Sequence, residues 1–203
     1  MECRPLIAIL RGINPKESEK FSEALIDCGI KIIEVPLNSP SPFDTIYRMI
    51  NFHGDRAIFG AGTVLNHKDV EKLHDIGCKM IVSPNTNKNV IKKTKQLKMI
   101  SIPGVFTATE VYNALDYGAD FLKLFPANQI KENGFKALFS ILPNDLISFA
   151  VGGIEKKNLR SWLNVGITGF GIGSYLYEPG ISINEFKKKA KKIVQEFDFL
   201  SKK

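Results

Sequence analysis

Lys123 stands in the run Phe121-Leu122-Lys123-Leu124-Phe125, the single charged residue among four apolar ones. Side chains alternate between the two faces of a strand, so Lys123 turns away from the face that carries Leu122 and Leu124. If those leucines pack against helices, Lys123 points into an interior, where lysine is almost never buried without a purpose. Burial disfavours the ammonium form and leaves a neutral amine able to act as a nucleophile. A structural ion pair, or a stem that snorkels out to phosphate, is the plainer reading of the same residue. Glu34 repeats the pattern in Lys31-Ile32-Ile33-Glu34-Val35-Pro36: with Ile33 and Val35 outward, its carboxylate faces inward. An inward carboxylate beside an inward lysine suits proton transfer with a raised carboxyl pKa. A buried Glu–Lys ion pair has the same signature.

Two glycine-rich turns offer a second kind of chemistry. Gly152-Gly153 and Gly173-Ser174 each follow an apolar run. Glycines let backbone N–H groups approach phosphate oxygens, and Ser174 adds a hydroxyl donor. Plain turn chemistry is the alternative. Gly60-Ala61-Gly62-Thr63 places a further hydroxyl at the end of a run, but no Gly-Lys-Ser/Thr follows, so it is no Walker loop. Arg11 closes the first run. The ends of these runs gather no His, Cys or Asp cluster, which argues against a zinc or two-metal hydrolase. His53, His67 and His74 fall in helix or loop segments and are expected to be solvent-exposed.

The elements that must position these residues alternate along the chain. Strand-like runs at 6–12, 31–37, 57–64, 79–84, 99–105, 121–126, 147–153 and 170–174 are near-continuously apolar, as in a parallel sheet covered on both faces. Amphipathic segments at 15–28, 41–52, 67–76, 87–97, 107–117, 133–141, 155–164 and 184–200 lie between and after them. Asn14-Pro15, Ser41-Pro42, Asn66 and Thr107 with Glu110 signal helix starts, and Gly29, Gly77, Gly118 and Gly166 signal ends. Eight βα units without a linker predict an α/β fold, a single (β/α)8 TIM barrel over residues 1–203, with an open doubly wound sheet as the alternative. In such a barrel the working residues gather at the carboxyl ends of the strands. The loops after the last two strands commonly hold phosphate.

Composition narrows the function classes. The chain has 203 residues, 28 Lys and Arg against 21 Asp and Glu, 44% apolar and 24% charged residues. Those proportions exclude disorder and low complexity. Three cysteines (Cys3, Cys28 and Cys78) make no closed disulfide framework and are expected to be buried small hydrophobes in a reducing cytoplasm. No apolar run reaches the roughly 20 residues a membrane helix needs. The net charge of +7 is concentrated: residues 88–98 and 187–203 carry +5 each, leaving −3 elsewhere. Lysines at helical spacing without interleaved arginine or aromatics fit solvated helix faces better than a nucleic-acid surface.

With these residues on the page, the chain resembles the bacterial 2-keto-3-deoxy-6-phosphogluconate / 2-dehydro-3-deoxy-6-phosphogalactonate aldolases from Leu6 to about Phe197. The motifs that carry the resemblance are LIAILRG, IIEVPLNSP, GAGTVL, IVSPN, PGVFTATE, LKLFPA, FAVGG and GIGSYLY. It implies a cytoplasmic class I aldolase on a TIM barrel, a homotrimer that uses no metal or other cofactor. By the same resemblance Lys123 is the Schiff-base lysine and Glu34 the proton donor and acceptor. Arg11 and Thr63 then contact the keto-acid end of the ligand, and Gly152, Gly153, Gly173 and Ser174 hold its phosphate. The arginine of LRG, Asn38 in LNSP and Val151 before Gly152 resemble the galactonate branch; the gluconate epimer and 4-hydroxy-2-oxoglutarate are the alternative substrates. A phosphosugar-binding barrel without Schiff-base chemistry is a further alternative, one that would need neither Lys123 nor Glu34. Residues 128–134 depart from the family by being more polar than its usual small-residue loop.

Overall fold

The computed structural model describes residues 3–143 and 146–202. Among these, strands and helices alternate in the order β1 (Leu6–Ile9), α1 (Ser18–Asp27), β2 (Ile32–Pro36), α2 (Pro42–His53), β3 (Ile58–Gly62), α3 (His67–Asp75), β4 (Met80–Val82) and α4 (Lys88–Gln96). They continue through β5 (Ile100–Ile102), β6 (Gly104–Val105), α5 (Ala108–Asp116), β7 (Leu122–Leu124), α6 (Ala127–Phe139) and β8 (Ser148–Val151). A 3₁₀ turn at Lys156–Asn158, α7 (Leu159–Asn164), β9 (Gly169–Ile172) and α8 (Ile183–Ser201) complete the order.

All strand pairs are parallel, in the spatial order β5-β4-β3-β2-β1-β9-β8-β7-β6. Only Pro103 separates β5 from β6, so the two ends of that order are halves of one stave. Its first half pairs with β4 and its second with β7. Proline has no N–H for the ladder, but the Pro103 carbonyl still accepts from the Lys123 N–H at 2.9 Å. The sheet therefore closes as an eight-stave barrel with neighbouring staves consecutive in sequence, which excludes the open doubly wound alternative.

Strand alternation divides the apolar residues between two cores. Leu6, Ala8, Ile33, Val35, Phe170 and Ile172 face outward and pack with helix residues such as Phe21, Leu25, Phe186 and Ile193. Ile7, Ile9, Met80, Val82, Ile102, Phe149 and Val151 fill the barrel interior. Each large aliphatic side chain so buried stabilises the fold by roughly 1.5–3 kcal/mol. At the amino-terminal mouth the interior ends in an apolar well of about 260 Å³ between Pro5, Ile32, Ile58, Ile100, Phe121 and Phe149. Inward polar chemistry is left to the opposite end.

Several helix starts are the expected ones. The Asn66 side chain accepts from the Asp69 N–H, and Thr107 with Glu110 forms a reciprocal capping box. Gly29 ends α1 with φ +90°, a left-handed conformation that turns the chain so that the Ile30 N–H reaches the Leu25 carbonyl. Other expectations are corrected. Helix α1 begins at Ser18, because the Asn14 side chain accepts from the Lys16 N–H and donates to Glu17, holding residues 14–17 as a turn. Residues 128–134, taken from the sequence as a polar loop, lie in α6, which starts at Ala127 and kinks at Lys131 (φ 57°, ψ 170°). His53 is buried rather than exposed: it follows Ile46 and Met49 at helical spacing on the inner face of α2. Cys28 and Cys78 are buried as expected, while Cys3 is only half-buried.

Candidate active site

Alternation along β2 and β7 does what the sequence pattern predicts. Leu122 and Leu124 pack outward, and Lys123 enters the barrel with 5% of its surface exposed. Ile33 and Val35 pack outward, and Glu34 enters with 2% exposed. Both lie within their strands rather than at the strand ends. Burial pulls the Lys123 amine below its ordinary pKa, the field of Glu34 acts against that, and the field of Arg11 adds to it. Burial pushes the Glu34 carboxyl above its ordinary value, opposed by Lys123 and by Arg11. The three groups thus share one electrostatic field. The Lys123 Nζ sits 4.6 Å from the centre of the Phe125 ring, within cation–π range. Glu34 Oε2 is buried without a hydrogen-bond partner among the described residues.

At the carboxyl end of the barrel a cleft of about 460 Å³ opens between the β1, β8 and β9 ends. Arg11, Gly152, Gly153, Gly173 and Ser174 line it, together with Phe125, Val151 and the segment Tyr177-Glu178-Pro179. The loop carrying Arg11 is held from the β2 side: its guanidinium donates to the Asn38 side chain, and the Gly12 N–H donates to Ser39 Oγ at 2.9 Å. Gly12 adopts φ +88°, and a Cβ there would come within 2.8 Å of Pro179. Only glycine lets this loop run so close under the β9–α8 connection. The Gly152 carbonyl accepts from the Asn128 N–H, and the Gly173 carbonyl from the N–H groups of Leu176 and Tyr177. Both glycine turns are therefore fixed by the chain that follows or faces them.

The predicted residues fall into two sets. Arg11, Gly152, Gly153, Gly173 and Ser174 meet in the cleft. Lys123 and Glu34 sit in the barrel interior; the Phe125 ring lies against Lys123 and lines the cleft, and the field of Arg11 reaches both buried groups. Thr63 follows β3 in a left-handed conformation (φ 57°), half-buried and off the cleft wall. The sequence reading missed Phe125, although the alternation that turned Lys123 inward turns Phe125 inward too. It also missed Tyr177, Glu178 and Pro179, which reach the cleft through loop geometry that no periodicity encodes.

A buried amine of lowered pKa coupled to a buried carboxyl of raised pKa can form an imine and move protons on it. Arg11 brings a guanidinium to the cleft wall, a group able to donate to an anion. Among the described residues no group of three or more His, Cys, Asp or Glu stands where it could hold a metal ion.

Comparison with known proteins agrees with this geometry. The family model for KDPG and KHG aldolase matches residues 1–193. The 2-dehydro-3-deoxy-6-phosphogalactonate aldolase of Escherichia coli (strain K12) is 42% identical over 193 residues, 95% of this chain and 94% of that one. The probable 2-dehydro-3-deoxy-6-phosphogalactonate aldolase of Rhizobium meliloti (strain 1021) is 43% identical over 195 residues, 96% and 92% of the two chains. A solved structure described as native KDPGal superposes with a TM-score of 0.96 at 41% identity, covering 98% of this chain and 97% of its own. A closed barrel with an inward lysine–glutamate pair under a glycine-lined cleft, matched along nearly its whole length, places this chain in the KDPG and KHG aldolase family.

Proposed function

We propose that this chain, acting as one domain, is a class I aldolase that cleaves 2-dehydro-3-deoxy-6-phosphogalactonate to pyruvate and glyceraldehyde 3-phosphate through a Schiff base on Lys123. The observation that carries the reading is the pair of buried inward groups, Lys123 and Glu34, whose pKa values are moved toward each other by burial. The neutral Lys123 amine attacks the C2 ketone, and uptake of a proton with loss of water leaves a protonated imine; the final hydrolysis releases that proton again. Glu34, directly or through water, takes the C4 hydroxyl proton as the C3–C4 bond breaks, and the bonding electrons pass into the imine to give an enamine. Glyceraldehyde 3-phosphate departs. Glu34 then returns the proton to C3, and hydrolysis of the imine frees pyruvate and Lys123. Arg11 and Thr63 hold the keto-acid end, and the N–H groups and hydroxyl around Gly152, Gly153, Gly173 and Ser174 hold the phosphate. Pre-positioning both ends of the substrate over the amine supplies much of the acceleration.

Borohydride reduction in the presence of pyruvate is expected to add one pyruvyl group, located on Lys123 by peptide mass mapping. Label on another lysine, or none on the wild type, would overturn the mechanism.

The galactonate epimer is favoured by Val151, whose methyl groups line the cleft and offer no hydrogen bond to a C4 hydroxyl. The two relatives named above carry that same substrate in their names. Val151→Thr changes shape little and adds a hydroxyl. A hydrogen bond gained by one epimer is worth about 1 kcal/mol, so the ratio of kcat/KM for the galactonate and gluconate epimers should move about fivefold toward gluconate. An unchanged ratio would remove Val151 from the discrimination.

We also propose that the chain works as a homotrimer in the cytoplasm. Exposed Tyr47, Phe52, Leu65, Phe106 and Tyr112 give it apolar surface to bury between copies. No helix among the described residues is long and apolar enough to cross a membrane. Light scattering on the purified protein tests the trimer directly.

A further inference from the structure

We propose that Gly62 is a positioning residue for the reaction: its missing side chain is the notch that seats the Glu34 carboxylate. The inference rests on the role given to Glu34 above. Gly62 is the last residue of β3 and pairs in register with Pro36, two residues beyond Glu34 on the neighbouring strand. A Cβ built on Gly62 would lie 1.4 Å from Glu34 Oε2, 2.5 Å from its Cδ and 2.9 Å from Oε1. The carboxylate therefore fills the volume that any other residue at this position would occupy. Gly62 has no left-handed backbone to explain it, since its φ lies outside the positive range. Space, not conformation, is what glycine supplies here.

The seat is also tight: among the described residues no donor reaches Oε2, and the volume it fills is bounded by β3 at Gly62. The next inward glycine on β3, Gly60, answers a different need. A Cβ there would meet Met80, at 2.6 Å from the terminal methyl and 2.7 Å from the carbonyl oxygen. Gly60 thus makes room for barrel packing, and Gly62 makes room for the carboxylate.

The test is a double-mutant cycle. Gly62→Ala should lower kcat about a hundredfold, the size of loss expected for a displaced catalytic group, with KM nearly unchanged because Gly62 does not line the cleft. Glu34→Asp shortens the acid by one methylene and withdraws it from the notch, so it lowers kcat by itself. In the Glu34→Asp background Gly62→Ala should cost almost nothing, because the vacated space accepts the methyl group. A hundredfold loss in both backgrounds, or a loss confined to KM, would overturn the notch. If Gly62→Ala alone fails to fold, the Glu34→Asp/Gly62→Ala double variant should fold with the melting temperature of Glu34→Asp; its failure as well would overturn the proposal. Full activity in Glu34→Gln would instead defeat the acid–base reading, and is distinguishable because it needs no change at Gly62.

Discussion

Lys123→Met is expected to abolish turnover, by about 10⁴-fold or more in kcat, the scale seen when a covalent nucleophile is removed. That loss is about 5 kcal/mol or more of barrel-directed barrier lowering, since each tenfold in rate is about 1.4 kcal/mol. Methionine has a similar unbranched stem and adapts to irregular interior space, so the volume Lys123 occupies stays filled. The charge balance survives for a different reason. Lys123 is one of the groups that hold the Glu34 carboxyl down against burial. Without it the Glu34 pKa rises further, which favours the uncharged carboxyl and eases the burial of an acid that has lost its cation. The variant should therefore fold, with a circular dichroism spectrum and melting temperature close to wild type, and take no pyruvyl label under borohydride. Measurable aldol cleavage by a well-folded Lys123→Met protein would remove the Schiff base from the mechanism.

Glu34→Gln keeps the size of the side chain and removes its proton chemistry. Loss of a positioned acid–base group costs about 10²–10⁴-fold in kcat. The pH dependence gives a second signature, with a definite sign. On the proposed mechanism activity requires Glu34 ionised and Lys123 neutral, so kcat/KM should rise with pH in two steps. The first lies above the ordinary carboxylate range, because burial raises Glu34, and the second below the ordinary lysine value, because burial lowers Lys123. The two groups interact, so both steps belong to the pair. In Glu34→Gln the lower step disappears. The upper step moves to lower pH, because the Glu34 field that helped keep Lys123 protonated has gone. An upper step that stays in place or moves up would show that the two groups are not coupled in the active protein.

The same field explains why Arg11 belongs to this site although it lies on an exposed loop. It lowers the pKa of both buried groups, helping to free the amine and to ionise the acid. Asn38 receives its guanidinium N–H, and the Ser39 hydroxyl receives the Gly12 N–H. The loop that follows the strand of Glu34 thus steadies the residue that tunes Glu34.

Much of this could be read from residue order. Period-two alternation turned Lys123 and Glu34 inward because Leu122, Leu124, Ile33 and Val35 had to meet helices, a local rule that needs no tertiary knowledge. Unbroken apolar runs between amphipathic segments implied parallel staves, and Asn66 and Thr107 marked helix starts through contacts three residues away. Where the sequence reading failed, a distant or competing contact decided. Residues 128–134 look like a polar loop, but the first turn of α6 rests on the Gly152 carbonyl through the Asn128 N–H. His53 looks like a surface residue, yet it shares the inner face of α2 with Ile46 and Met49.

The inward direction of one amine and one acid was determined by the sequence alone, because side-chain direction in a strand is a property of neighbouring residues. Only the tertiary structure decided which of those residues share a space. Closure through the divided stave at Pro103 brings β7 into one barrel with β2, which carries Glu34, and with β1, whose following loop carries Arg11. The fit of a carboxylate into the notch at Gly62, the Phe125 ring between lysine and cleft, and the meeting of Gly12 with Pro179 are contacts between segments far apart in the chain. Close packing fixes such contacts to tenths of an ångström, and no periodicity in one strand records what stands opposite it.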